Sequence, residues 1–228
     1  MATGKSTRRR SIGRPPQGAA VDARELLLDA ALPLFAERGV AGTTIAGIAA
    51  RAGVTPAMFH YYFSNRDRLL DAVAEERLRE IVTSVWAPVV ATDEVVPMLR
   101  GLVRRILEAT EANPWLPSLW LREVVSEGGQ LRDRLLRILP FEYVRHLIGT
   151  VAGAQQRGEV SPRLEPRLVL LSVIGLTFLP LATMRMWQAL PILQGVERED
   201  IARHAEALLV GAFSPPASDR PKATRGTP

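Results

Sequence analysis

Residues 43–66, TTIAGIAARAGVTPAMFHYYFSNR, contain two short helical patterns separated by a tight turn. Either threonine at the start can cap the first helix, whose apolar residues recur at helical spacing. Gly53 gives the turn its permissive backbone, and Val54 is the apolar residue between the two helices. Thr55 is a natural cap for the second helix because Pro56, which has no backbone N–H, follows it at the first helical position. The segment therefore predicts a second helix that starts at about Pro56.

This second helix has one apolar side and one side that can meet a ligand. Phe59 and Phe63 lie four residues apart and point one way, whereas Ala57, His60 and Tyr61 occupy the other side. The pattern is typical of a helix-turn-helix, whose second helix enters the major groove of DNA. Because the spacing also occurs in proteins that do not bind DNA, each polar residue here is either a DNA contact or an ordinary half-buried side chain.

A third helical pattern precedes the pair. Residues 23–38 have one apolar face, and Gly39 is expected to end the helix. The resulting three-helix unit resembles the TetR family of bacterial transcriptional regulators in the segments LFAERGV, TTIAGIA, RAGV, FHYYF and SNRDRLL. The match spans residue 23 to about residue 70. The resemblance implies an all-α protein with an N-terminal helix-turn-helix domain and a larger C-terminal helical bundle for effector binding and dimerisation.

The resemblance also implies two groups of DNA contacts. Small or apolar side chains at the start of the second helix would face base edges, and polar or cationic ones would hold the phosphate backbone. The base-facing residues are Pro56, Ala57 and Met58, and the phosphate contacts are Thr44, Thr55, His60, Tyr61, Tyr62 and Arg66. The family usually has tyrosine where this chain has His60, and lysine or a comparable cation where it has Arg66. Since histidine changes its charge near neutral pH, we expect DNA binding to weaken as the pH rises.

The formal net charge of +5 is concentrated at the two ends of the chain. Residues 1–22 carry five cationic side chains and one carboxylate, and residues 214–228 carry three and one. We therefore expect a flexible basic arm and a disordered tail around a nearly neutral globule. Arg14 lies in a Gly-Arg-Pro sequence that is similar to the core of an AT-hook. It either enters an A·T-rich minor groove or adds only nonspecific attraction.

Composition excludes several classes of protein. Cysteine is absent, which excludes disulfides, thiol redox switching and cysteine metal sites. The longest apolar stretch, residues 168–182, is too short to cross a membrane and contains Pro180. No apolar run follows the basic N-terminus as it would in a secretory signal. We expect a cytoplasmic protein with a DNA-binding domain at 23–66 and a helical domain at 67–213.

The pattern from residue 67 onward is helical, with no alternating strand-like run. The predicted helices cover residues 67–85, 95–112, 115–126, 131–157, 167–181 and 198–212. Pro88 is expected to close the connection after the first of these, and Pro140 to kink the fourth.

Aromatic and sulfur-bearing side chains are spread over several of these helices. If they converge, they line a cavity that can hold a flat hydrophobic ligand; otherwise they are ordinary core residues. The candidates, with one histidine as a polar partner, are Trp86, Met98, Trp115, Trp120, Phe141, Tyr143, His146 and Phe178. By resemblance, such a cavity would bind a small effector that spreads the DNA-reading heads apart.

A dimer is expected because one helix-turn-helix head reads too few bases for tight selection, whereas a twofold pair binds two half-sites. The helix at 167–181 is apolar almost all round, so it needs partners on every side. Those partners are either a second copy, through a four-helix interface, or the rest of the same chain. The predicted interface residues are Val169, Val173, Gly175, Leu176, Ile201, Ala205 and Leu208.

These features predict a homodimeric, ligand-responsive DNA-binding protein. The resemblance to the TetR family implies a repressor that a small hydrophobic effector releases from an inverted-repeat operator. Two alternatives stay open: a helical-bundle enzyme acting on a small apolar substrate, and a DNA-binding regulator without an effector. Little in the sequence favours the enzyme hypothesis, because the chain has no histidine spacing typical of a metal site, no nucleophile turn and no phosphate-binding glycine loop. No cofactor or metal is expected. A membrane-surface protein would need a basic amphipathic helix, which the basic arm does not provide.

Overall fold

The computed structural model describes residues 17–213, with side chains described for residues 23–211. The regular elements in this range are all helical, which confirms the predicted fold class. The helices are α1 (Gln17–Gly42), α2 (Ile45–Arg51), α3 (Pro56–Phe63), α4 (Arg66–Val73), α5 (Arg79–Val90), α6 (Val95–Ala112), α7 (Leu116–Trp120), α8 (Arg132–Ile138), α9 (Phe141–Gln156), α10 (Val169–Ala182), α11 (Met184–Trp187) and α12 (Arg198–Phe213). Arg14, the rest of the predicted arm before residue 17 and the predicted tail at 214–228 lie outside the described residues.

Helix α1 starts at Gln17 rather than at residue 23, and its geometry breaks at Gly39. Gly39 has φ 75 and ψ 161, a positive φ that side-chain-bearing residues rarely adopt. The buried Thr43 hydroxyl donates to the Gly39 carbonyl oxygen at 2.7 Å. Thr44 caps α2, since its hydroxyl accepts from the Gly47 N–H at 3.0 Å. The predicted break at Gly39 is thus confirmed, and Thr44 rather than Thr43 is the capping residue.

Helices α2 and α3 form the predicted helix-turn-helix. Gly53 in the turn has φ 69. Thr55 has the extended backbone of an N-cap and Pro56 starts α3, but the Thr55 side chain makes no capping hydrogen bond. The pair packs on α1, and α1, α2 and α3 with the start of α4 form what we call the head.

Two hydrophobic clusters hold the chain together. The first is built on α1 and continues through Phe59 and Phe63 of α3 to Leu119 and Leu131 beyond the head. The second lies among α5, α6, α9, α10 and α12 and forms the interior of the remaining helices, which we call the body. Because the first cluster includes side chains from both parts, the head packs directly on the body.

Two predicted helices differ from the structure around proline. The segment predicted to end near Val85 continues to Val90, with Pro88 inside the last turn of α5 and a π-helical turn at Ala74–Leu78 between α4 and α5. The predicted long helix at 131–157 is two helices, because Leu139 before Pro140 is extended, with φ −68 and ψ 128. Steric contact with a following proline disfavours helical geometry, so the chain breaks here rather than kinks.

The apolar helix α10 buries only part of its surface. Val169 and Val173 are 3% and 0% exposed, whereas Leu171 and Leu179 are 62% and 49% exposed. The Thr177 hydroxyl is buried and donates to the Val173 carbonyl oxygen at 2.8 Å, so it leaves no unpaired polar atom in the core. Between residues 17 and 213, no helix is both long and apolar enough to cross a membrane.

Candidate DNA-binding surface and its connection to the body

Helix α3 separates an anchoring side from an exposed side, as its spacing predicts. Phe59 and Phe63 are 0% and 2% exposed, whereas Tyr61 is 79% exposed. The rings of Phe59 and Phe63 are 5.7 Å apart. The two rings fix the rotation of α3 against the core. The outward side therefore presents one defined set of side chains to solvent, where a groove of DNA can reach them.

The exposed set contains most of the predicted DNA contacts. The exposed residues at the start of the two helices and on the outer side of α3 are Thr44, Thr55, Pro56, Ala57, His60 and Tyr61. Met58 and Tyr62 are half-buried, and Tyr62 packs against the first cluster. A side chain that packs on the core has less freedom to follow a phosphate, so the contacts predicted for Met58 and Tyr62 depend on their exposed parts alone.

His60 is exposed, and its ring is oriented by its own helix. The Nδ1 atom lies 3.2 Å from the Ser64 carbonyl oxygen. Because a carbonyl only accepts, Nδ1 carries the proton in this contact, and Nε2 of the neutral ring is an acceptor. Nε2 is the ring atom left to face solvent on the outer side of α3, and a contact between it and a phosphate stays a prediction.

Arg66 has a structural role that the sequence did not indicate. Its guanidinium donates to the carbonyl oxygens of Val40 at 3.0 Å and Thr43 at 2.5 Å. These carbonyls lie in the chain between the break in α1 and the start of α2. Arg66 thus joins the start of α4 to the end of α1, and a phosphate contact by the same guanidinium remains a prediction.

Arg68, two residues further on, is a cation outside the predicted set of phosphate contacts. Its side chain is exposed and makes no hydrogen bond or ion pair with any other residue of the described range 17–213. Its backbone N–H donates to Asn65 Oδ1 at 3.0 Å, which caps α4. A free guanidinium at the start of α4, next to α3, is well placed to join the phosphate contacts. The sequence signal for this role is the presence of arginine in the short polar segment SNRDR, which follows the aromatic cluster FHYYF.

A buried carboxylate connects the head to the body. Glu123 lies in a π-helical turn, Leu121–Val125, and is 5% exposed. Its Oε1 accepts from the Val40 N–H of the head at 2.8 Å, and its Oε2 accepts from the Gln130 N–H of the body at 3.0 Å. A Cβ placed on Gly39 would lie 3.1 Å from the same Oε1, so the break in α1 also makes room for the carboxylate.

Arginines on α1 and α8 add ion pairs at this junction. Arg24 of α1 donates to both carboxylate oxygens of Glu76 at 2.5 Å. These hydrogen bonds hold the pKa of Glu76 below its ordinary value of 4.5. Arg134 of α8 reaches Asp71 of α4 at 2.7 Å. The orientation of the head on the body is therefore set by directed contacts as well as by shared apolar packing.

The predicted effector residues are distributed over the body. Trp120 and Phe178 meet, with ring centroids 5.2 Å apart, at the contact between α7 and α10. Trp86 and Met98 are buried in the second cluster, and Tyr143 packs on its edge; Trp115 packs on the first cluster. Phe141 is 50% exposed, and His146 Nε2 lies at the surface, 3.3 Å from Asp93 Oδ1. The structure thus brings Trp120 and Phe178 together. The other six predicted effector residues are not all gathered at that contact.

Four of the predicted dimer residues are buried in their own chain, which corrects the predicted interface. Val169, Val173, Ile201 and Ala205 are 3%, 0%, 6% and 0% exposed. They cannot contact a second copy because α6 covers this side of α10 and α12. Leu176 is half-buried against the second cluster. Gly175 and Leu208 remain exposed. On α10, the side that faces solvent carries Leu171 and Ser172 rather than the predicted Val169 and Val173.

Comparisons with known proteins agree with this architecture. A family model described as bacterial regulatory proteins, tetR family, matches residues 27–73. The HTH-type transcriptional regulator BetI of Brucella anthropi is 31% identical over 135 residues, which cover 59% of this chain and 68% of BetI. The chain spans about two thirds of the length of such relatives.

Solved structures share the fold at lower sequence identity. FadR of Bacillus subtilis in complex with stearoyl-CoA has a TM-score of 0.63 at 20% identity, covering 83% of this chain and 98% of FadR. AibR in complex with isovaleryl coenzyme A and operator DNA has a TM-score of 0.63 at 22% identity, covering 82% of this chain and 97% of AibR. The exposed α3 surface, the family model over the head and the similarity to BetI lead to one conclusion. The chain belongs to the TetR family and is a DNA-binding transcriptional regulator.

Proposed function

We propose that the protein is a homodimeric repressor that binds an inverted-repeat operator and is released by a small hydrophobic effector. The observation that carries the proposal is the division of α3, with Phe59 and Phe63 buried and Tyr61 79% exposed. This arrangement leaves a rigidly held row of small and polar side chains for a DNA groove. Ala57 at the start of the row would face bases, and His60 and Tyr61 would hold phosphates.

The exposed side of α10 supports the dimer. We define the α10 stripe as Leu171, Ser172, Gly175 and Leu179, which recur at helical spacing and are all exposed. A Cβ added to Gly175 would meet no atom within 4 Å, so there is room for a second helix to approach closely. Leu208 of the neighbouring α12 is 46% exposed. Two copies of α10 and α12 would bury these leucines in a twofold four-helix interface.

The contact between Trp120 and Phe178 supports an apolar effector. It joins α7 to α10, and α7 continues directly into the π-helical turn that carries Glu123. A ligand that separates the two rings would therefore displace the segment hydrogen-bonded to the head. FadR and AibR, which share the fold, were solved with acyl-CoA thioesters bound. Their ligands support an effector with an apolar acyl chain.

Selection of bound DNA from a random pool tests the proposal directly. We expect recovery of an inverted repeat whose half-sites are spaced by about one helical turn. Each selected DNA duplex should bind two chains of the wild-type protein. A matched variant, Tyr61→Phe, should recover the same repeat more weakly because it loses a phosphate donor and no base contact. Recovery of a single, unrepeated half-site would contradict the dimeric assignment.

A further inference from the structure

A cleft of about 530 Å³ lies where the head meets the body. Asp29 and Leu32 of α1 line one side, and residues of α5 and α6 line the other. We call it the α1–α6 cleft. Of the predicted effector residues, it includes Trp115 alone, so it is separate from the contact between Trp120 and Phe178. It is also distinct from the exposed surface of α3.

The uncharged part of the cleft is mainly apolar. Leu32, Ile81 and Ala109 contribute to its lining, and Leu32 is 3% exposed. Trp115 is half-buried because it packs against the first cluster, and its remaining surface lines the cleft. Within residues 17–213 its indole N–H makes no hydrogen bond. The cleft can therefore hold a small apolar group beside an aromatic ring.

The charged side chains of the cleft are unequally paired. Arg77 Nε donates to Asp29 at 2.7 Å, and Arg105 donates to Glu108 at 3.2 Å. Both guanidiniums are therefore neutralised by carboxylates of the protein. Glu80 lines the same cleft as an exposed side chain at its rim, and it makes no hydrogen bond or ion pair with any residue that the structure describes. One negative charge thus remains without a partner next to an apolar lining.

This combination selects a cation rather than an anion. An anion would compete with Asp29 and Glu108 for guanidiniums that already have partners, and it would lie near the Glu80 carboxylate. An ammonium would pair with Glu80 in a charge-assisted hydrogen bond. It would gain a second contact from the π face of Trp115, since tryptophan is the aromatic side chain that attracts cations most strongly.

We propose that the α1–α6 cleft binds a small primary amine that carries an apolar group. Its ammonium pairs with Glu80 beside Trp115, and its apolar group packs on Leu32, Ile81 and Ala109. This site goes beyond the proposed function, because neither operator binding nor an apolar effector at Trp120 requires it.

Isothermal titration of the full-length protein with 2-phenylethylamine, in the absence of DNA, tests the proposal. We expect saturable binding with one amine per chain. The anion 3-phenylpropanoate, which has the same ring on a chain of similar length, should show no saturable binding. Glu80→Gln keeps the shape of the side chain and removes its charge, so it should weaken amine binding about tenfold. Trp115→Leu should weaken it about threefold.

Glu142→Gln is the matched control, because Glu142 is an exposed glutamate of α9 outside the cleft. It should bind the amine as the wild type does. The proposal is overturned by an absence of saturable amine binding, by equal binding in Glu80→Gln, or by equal binding of the anion. Because no operator is present, none of these outcomes bears on DNA binding. Conversely, a protein that fails to select an operator can still bind the amine.

Discussion

Replacing Glu123 by alanine should destabilise the protein by an amount that follows from two hydrogen bonds. The carboxylate is 5% exposed and accepts from the Val40 N–H at 2.8 Å and the Gln130 N–H at 3.0 Å. Alanine leaves the buried Val40 donor and the part-buried Gln130 donor without this acceptor. A hydrogen bond to a charged group contributes about 1.5–3 kcal/mol, so the loss of two costs about 3–6 kcal/mol. That is a large share of the roughly 5–15 kcal/mol by which a protein of this kind is stable.

Glu123→Gln should cost about half as much. Its carboxamide oxygen can still accept from one N–H, but its NH₂ group then faces the other donor. Equilibrium unfolding in urea, followed by circular dichroism and tryptophan fluorescence, measures both variants. The alanine variant should unfold at a urea concentration lower by about 1–2 M.

Glu127→Gln provides the control, since Glu127 is an exposed residue of the same connection. Its free energy of unfolding should stay within about 0.5 kcal/mol of the wild type. Head and body should also lose their coupling in Glu123→Ala, so operator affinity should fall at urea concentrations that leave the wild type folded. A Glu123→Ala variant as stable as the control would refute the idea that this carboxylate holds the head on the body.

Three further predictions concern the head, the dimer and acid stability. In binding assays on a panel of DNA sequences, Tyr61→Phe should lower the affinity for all of them alike, by about fivefold. Ala57→Leu should instead change which sequences are preferred. A changed preference in Tyr61→Phe would contradict its assignment as a phosphate contact. Leu171→Glu should weaken the dimer about 100-fold or more in analytical ultracentrifugation, because the twofold axis places the change in the interface twice, and Leu136→Glu on α8 should not. The pKa of Glu76 is lowered by Arg24, so this pair stabilises the fold above pH 4.5 and loses its effect as the pH falls below that value. In Glu76→Gln, the free energy of unfolding should therefore change less between about pH 5 and about pH 3 than it does in the wild type. Since both side chains are partly exposed, the difference should be no more than about 1 kcal/mol. The same pH dependence in both proteins would count against a stabilising role for the pair.

Local patterns were enough to predict the head. A helix of the length of α3 has its faces decided by residues three and four apart, so the burial of Phe59 and Phe63 follows from spacing alone. Gly39, Gly53 and Pro56 act on their own backbone conformation, and the structure confirms the break or turn at each. The same local reasoning gave the bounds of α6 as residues 95–112, which are those observed.

Contacts between distant residues decided what periodicity left open. Arg66 donates to carbonyls 23 and 26 residues earlier in the chain, and no local signal distinguishes that role from a phosphate contact. Helix α10 is apolar almost all round, so its sequence does not indicate which leucines face α6 and which face solvent. Only the packing of α6 and α12 against it assigns Val173 to the core and Leu171 to the surface. The physical reason is that an amphipathic helix carries its own orientation, whereas an all-apolar helix takes its orientation from its neighbours.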